Sequence, residues 1–255
     1  MGGDLLSASR LFGFLLTLVR VAGVFVFVPI PGLKSAVDPA RILLMLGVTV
    51  ALFPVWPHPP GDVSPGLFVL WIMSEAALGI GIGLAVAFSI EALLVGAQIV
   101  GLQAGYSFAS MVDPFTQADS TVLVALAQTA AGLLFFALGL DRDVLRIFAR
   151  SLTTFPPGSF VMSRGAAQLI LLAGSTMFST GLRLALPVMA VMLMVEISLA
   201  LLGRVNAQLH LMAIAFPIKM MLGLGLLAWL AVLLPALLRG ASGASFTAAR
   251  AFAGR

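Results

Sequence analysis

Apolar residues run through this chain in six blocks, at about 11–31, 42–57, 67–105, 121–140, 166–202 and 211–238, separated by stretches that carry turn residues and most of the arginines. A bilayer's hydrocarbon core is roughly 30 Å thick and takes about 20 apolar residues as a helix. The blocks therefore predict membrane helices, but two of them are too long to be one span each. Residues 67–105 would measure about 58 Å as a single helix at 1.5 Å per residue, nearly twice the core. The pattern predicts that this block breaks, bends back or leaves the bilayer. Pro187 offers a break in the fifth block and Pro217 one in the sixth, and the glycines of "GIGIG" (79–83) and "VGAQIVGLQAG" (95–105) offer softer ones in the third. Eight helices fit the pattern as well as six.

Composition fixes the class. Of 255 residues, 61% are hydrophobic and 9% charged, where soluble domains carry roughly 25% charged residues. At 26.5 kDa the chain is expected to be a single integral membrane domain over residues 1–255. Its N-terminus has no strongly basic start and no small-residue cleavage site, and reads as a retained first helix. No cysteine is present, which excludes disulfides and cysteine-based metal or redox sites. A net charge of +4, scattered along the chain, gives no nucleic-acid surface. If each block crosses once, Arg10, Arg142, Arg146, Arg150, Arg164, Arg239, Arg250 and Arg255 share one side and Lys34, Arg41 and Arg204 the other, so the arginine-rich side is cytoplasmic.

Polar residues inside the apolar blocks carry the functional signal. Arg20, Glu75, Glu91, Gln98, Gln103, Gln128, Arg183, Glu196 and Lys219 lie within or at the margins of apolar sequence, where an unpaired charge costs several kcal/mol, on the order of 2.5 or more. They are expected to face protein or water. Two uses fit: a proton or ion path, or an assembly device in which the groups satisfy one another across helix or subunit contacts. No two carboxylates are spaced to share a helical face, which favours assembly. Glu75 and Gly79 do share a face, and Gly79 with Gly83 and Gly101 with Gly105 form small-xxx-small pairs that allow close helix contact. Catalysis finds no support. His58 and His210 stand in connecting stretches without metal-ligand spacing, and neither HExxH nor a phosphate-binding glycine loop occurs. No catalytic, cofactor or metal site is expected.

Seven segments in order, "RVAGVFVFVPIPG" (20–32), "DPARILLMLGVTVALFP" (38–54), "SEAALGIGIGLAVAF" (74–88), "GAQIVGLQAGYSFASMVDP" (96–114), "FFALGLDRDVLRIFARSLTTFPPG" (135–158), "LRLALPVMAVMLMVEISLALLGRV" (182–205) and "AFPIKMMLGLGLL" (215–227), resemble the FliR family of flagellar biosynthetic proteins. That family includes the equivalent export-gate subunit of virulence type III secretion systems. The resemblance implies an all-α membrane protein of bent or broken helical hairpins. It also implies assembly with FliP-like and FliQ-like membrane subunits into the portal of an export channel, with a FlhB-like protein around its cytoplasmic mouth. The substrates would be unfolded flagellar proteins and the location the bacterial inner membrane at the flagellar basal body. Arg20, Glu75, Gln103, Arg183, Glu196 and Lys219 are then expected as buried polar assembly contacts, with Lys219 meeting a carboxylate or carbonyl in the complex beside a helix broken at Pro217. A virulence-system gate and a stand-alone secondary transporter remain as alternatives.

One stretch, "YSFASMVDPFTQADS" (106–120), is rich in turn and polar residues and has no Lys or Arg, so it reads as a connector. Yet Tyr106, Phe108, Met111 and Phe115 are bulkier than a solvated linker needs. The resemblance implies that this loop, with Asp113 and Pro114 at its centre, lies in the portal and helps to close it, with Gly105 giving the backbone freedom to move.

Overall fold

A computed structural model describes residues 8–30, 38–57, 64–106, 122–205 and 211–254, and among these every regular element is helical. The order is α1 (Ala8–Phe27), α2 (Pro39–Ala51) with a 3-10 turn at Phe53–Val55, α3 (Pro65–Gln103), α4 (Val122–Ala137), α5 (Leu140–Thr154), α6 (Arg164–Val205), α7 (Leu211–Ala231) and α8 (Leu234–Phe252). Helices α1, α3 and α6 are each long and apolar enough to cross a membrane. The pairs α4–α5 and α7–α8 are bent at short breaks and make two more spans if each pair is taken as one.

The two long blocks do not break where the sequence pattern places the breaks. Helix α3 continues through 39 residues and α6 through 42, with Pro187 inside α6 and Pro217 inside α7. Each proline lacks one N–H and leaves one carbonyl, that of Arg183 or Ala213, without its helical donor, at a cost of roughly 3 kcal/mol. The remaining backbone bonds of a long apolar helix carry it past that point, because the lipid-facing alternative leaves more groups unsatisfied. The chain instead interrupts its helices at residues 138–139 and 232–233. Gly139 has φ +71°, which places it in the left-handed region open to glycine, and α5 starts beyond it with Asp141 and Asp143 in its first turn.

Contacts divide the chain into two compact units. The first comprises residues 1–88, 135–174 and 242–255, and the second 89–134 and 175–241, so α3, α4, α6 and α8 contribute residues to both. In the first unit Leu16, Val21 and Val24 of α1 are fully buried, as are Leu78, Ile82 and Val86 of α3, with Phe148 of α5 and Phe252 of α8 beside them in the core. The three glycines of "GIGIG" do not interrupt α3, because they are contact surfaces. A Cβ on Gly79 would stand 2.5 Å from the Arg20 carbonyl oxygen and one on Gly83 2.6 Å from that of Val24, so α1 lies backbone to backbone on α3. On another face a Cβ on Gly81 would meet the Phe252 ring at 2.6 Å. Each glycine costs about 1 kcal/mol of helix propensity, and close packing offsets it.

Helix α2 is set by local chemistry. Asp38 accepts a hydrogen bond from the Ala40 amide at 3.1 Å and Pro39 follows at the first helical position. Its Arg41 is buried and donates to the carbonyls of Phe25 at 3.0 Å and Val26 at 2.6 Å, which are orphan acceptors at the end of α1. Arg41 is therefore an internal cap and not the outward-facing loop charge that its place between two blocks suggests. In the second unit the core is built from Val100 and Ala104 near the end of α3, Ala185, Val188 and Met192 of α6, and Leu230 of α7.

Candidate functional site

Arg20 and Glu75 form a fully internal ion pair in the first unit, each about 2–3% exposed. The guanidinium fork meets the carboxylate twice, Nε with Oε2 and Nη2 with Oε1, the second at 2.8 Å. Its remaining donors reach the carbonyls of Ser151 at 2.7 Å and Phe155 at 3.0 Å. These acceptors close the end of α5, where a cation also complements the helix dipole. Glu75 in turn accepts a long hydrogen bond from the Gly158 amide, 3.4 Å. One pair thus ties α1 to α3 and both to the turn after α5. The spacing does the rest: Glu75, Gly79 and Gly83 recur every fourth residue on one face of α3, so the glycines that admit the α1 backbone also bring Arg20 alongside Glu75. Bidentate geometry with every described donor engaged is what allows such a charge pair to be buried.

The second constellation sits where α3 ends. Gly105 has φ +84°, its amide donates to the Leu102 carbonyl at 3.2 Å, and the Tyr106 amide reaches back to Gly101 at 3.0 Å. This is a Schellman cap, which requires the left-handed conformation at the glycine. Gly105 therefore ends α3 in a conformation that glycine adopts without strain. A Cβ there would also press on the Phe216 ring at 2.9 Å. Tyr106 donates its hydroxyl to the Met220 carbonyl of α7 at 2.8 Å, and its ring lies beside Gly223. Partial burial raises the phenol's pKa above the ordinary 10.0, so it remains a protonated donor at neutral pH. The segment Phe216–Gly223 of α7 therefore holds Tyr106, the first residue of the 106–120 stretch and the one that the structure describes.

One residue from that anchor, Lys219 donates to Glu196 of α6 at 2.6 Å, with the two side chains 21% and 37% exposed. The carboxylate that Lys219 meets belongs to its own chain. Of the other expected polar contacts, Gln103 is half-buried at the end of α3 and Arg183 is exposed on α6. Pro187 and Pro217 are exposed as well. Glu91, Gln98 and Gln128, expected to face protein or water, are also exposed. Phe108, Met111, Asp113, Pro114 and Phe115 lie outside the described residues, as do His58 and His210. Among the described residues no group of three or more His, Asp or Glu could hold a metal ion.

Comparison with known proteins finds relatives over most of the chain. The family model for bacterial export proteins, family 1, matches residues 11–244. The flagellar biosynthetic protein FliR of Escherichia coli strain K12 is 31% identical over 214 residues, covering 83% of this chain and 81% of that protein. FliR of Bacillus subtilis strain 168 is 24% identical over 209 residues, 81% of each chain. The surface presentation of antigens protein SpaR of Salmonella typhimurium is 26% identical over 221 residues, 84% of this chain and 79% of that one.

Proposed function

The chain belongs to family 1 of the bacterial export proteins, and from that premise we propose that it is a membrane subunit of the flagellar type III protein export apparatus. In this reading it forms, with FliP-like and FliQ-like subunits and a FlhB-like protein at the mouth, the portal through which unfolded flagellar proteins leave the cytoplasm across the inner membrane. It acts by shape and packing and performs no catalysis. The observation that carries the reading is α6, whose apolar stretch is only 22% buried within the chain. As a 42-residue helix it is about 60 Å long, twice the hydrocarbon core. Exposed large apolar side chains run along it from Leu171 to Leu202, about 46 Å and longer than the hydrocarbon core, which supports other proteins covering part of that face. FliR of Escherichia coli is 31% identical to the chain against 26% for SpaR, which supports the flagellar assignment over the virulence one.

The stretch 106–120 is the gate in this reading. Its near end is held by the Gly105 cap and the Tyr106 anchor, and Phe108, Met111 and Phe115 supply bulk that excludes water and ions until a substrate displaces it. Co-expression tests the whole proposal. The chain should copurify with FliP-like and FliQ-like subunits and be degraded without them, and deletion of residues 108–116 should leave that complex intact while raising small-solute leakage. A stable homodimer that retains neither partner would replace this reading with the stand-alone transporter.

A further inference from the structure

Helix α3 carries two carboxylates and no lysine or arginine. The first, Glu75, is neutralised inside the chain by Arg20. The second, Glu91, is exposed in the second unit, and among the described residues its carboxylate makes no hydrogen bond or ion pair. Ile80 and Leu102 stand eleven residues before and after it, 42% and 64% exposed. Eleven residues make about three turns, so both share its face, each about 16 Å away along the helix. Gln98, two turns beyond Glu91 on that stripe, is exposed as well, with half-buried Val95 between them. A carboxylate flanked in this way within a span requires a counter-charge.

The neighbouring helix does not supply one. Helix α6 meets α3 at this level: a Cβ on Gly181 would stand 2.8 Å from the Ala92 carbonyl oxygen and 2.9 Å from the Val95 side chain. Arg183 follows Gly181 by two residues, about 200° round the helix, so it projects from the far side of α6 and is exposed there. Val95 belongs both to this contact and to the stripe, so the stripe borders α6. Glu91, Val95, Gln98 and Leu102 are spaced by four, three and four residues, the spacing of a helix–helix seam, with its two polar positions one heptad apart. Polar groups at such positions fix register and choice of partner. From this geometry we infer that the Glu91–Leu102 stripe of α3 receives a membrane helix of another subunit, and that this helix presents a lysine or arginine to Glu91. The inference rests on the reading of the chain as one subunit of an export apparatus, and it adds the contact and the charge that the partner must carry.

Co-expression of the full chain with FliP-like and FliQ-like subunits, scored as the yield of purified complex, tests the contact. Glu91→Leu should lower that yield about tenfold or more, because the partner's cation is left buried without its counter-charge. Glu91→Gln should give a smaller loss and Glu91→Lys no complex. The isolated chain should melt as before with Glu91→Leu, since no contact within it is removed. Changing one lysine or arginine in a membrane helix of a partner subunit to glutamate should restore the complex with Glu91→Lys. Gln98→Cys, in a chain without native cysteine, should be shielded from a water-soluble thiol reagent once the complex has formed. Full yield with Glu91→Leu or Glu91→Gln would overturn the inference, as would failure of every partner substitution to restore Glu91→Lys. Restoration by Arg183→Glu would mean a pair within the chain, and free labelling of Gln98→Cys in the complex would set the stripe against water; either also overturns it. A parent chain that copurifies with neither subunit is a different failure, that of the subunit reading itself.

Discussion

Helices α3 and α6 are nearly equal in length and in apolar content, yet 67% of the most apolar stretch of α3 is buried within the chain and only 22% of that of α6. The difference lies in what each carries on its faces. Helix α3 has Glu75 and three glycines at positions where α1 and Phe252 approach it, so its length is spent on its own chain. Helix α6 instead turns outward Phe178, Leu186, Leu193, Met194 and Ile197, each at least half exposed. Hydropathy alone says that both must leave water. It does not say whether lipid, the same chain or another chain receives them. Small residues and paired charges mark the internal contact, and large apolar side chains without them mark the external one.

Substitutions on the two helices should separate accordingly. The largest effect on the chain itself is expected from Arg20→Met, which leaves Glu75 buried without its partner and should cost about 3–5 kcal/mol. Thermal unfolding in detergent reads it, and Arg20→Met with Glu75→Leu should restore most of the loss. Next comes Gly79→Leu, which drives a side chain into the α1 backbone and should cost about 1–3 kcal/mol or more. The same melt reports it, together with loss of the α1–α3 contact in cysteine crosslinking between residues 23 and 80. An undiminished melting temperature for either variant would mean that α3 is not held by its own chain.

Much of this was legible beforehand. Glu75, Gly79 and Gly83 stand at helical spacing, and the close contact they allow is the one that forms. The all-α membrane class followed from block length and charge content. What could not be read was pairing. Arg20 and Glu75 are 55 positions apart and Lys219 and Glu196 are 23, and nothing local states that either partner lies in the same chain. The breaks were misplaced for a related reason. Proline and glycine weaken a helix locally, but packing decides whether it stops, so Pro187 is carried through while a helix ends at Gly139 and another at residues 232–233. Gly105 shows the converse: a glycine next to a polar stretch does end its helix, and its positive φ serves the cap.

A smaller effect is expected at that cap. Tyr106→Phe removes one hydrogen bond to the Met220 carbonyl and should cost about 0.5–1.5 kcal/mol, with the melt nearly unchanged and faster amide exchange at residues 104–106. Equal exchange in the two proteins would show that the ring alone holds the anchor. The smallest effect on the chain belongs to α6. Phe178→Ser, on an exposed face, should shift unfolding of the isolated chain by no more than about 0.5 kcal/mol and yet lower the yield of the partner complex several-fold. A large loss of stability in the isolated chain would erase the contrast between the two helices.

The contrast rests on the claim that other proteins cover the outer face of α6. Placing p-benzoylphenylalanine at position 178 or 193 and irradiating living cells tests that claim most directly. Covalent adducts heavier than the chain should form when the partner subunits are made and vanish when their genes are deleted. Adducts with lipid only, equal in both strains, would contradict the account and make α6 an ordinary bilayer-facing span.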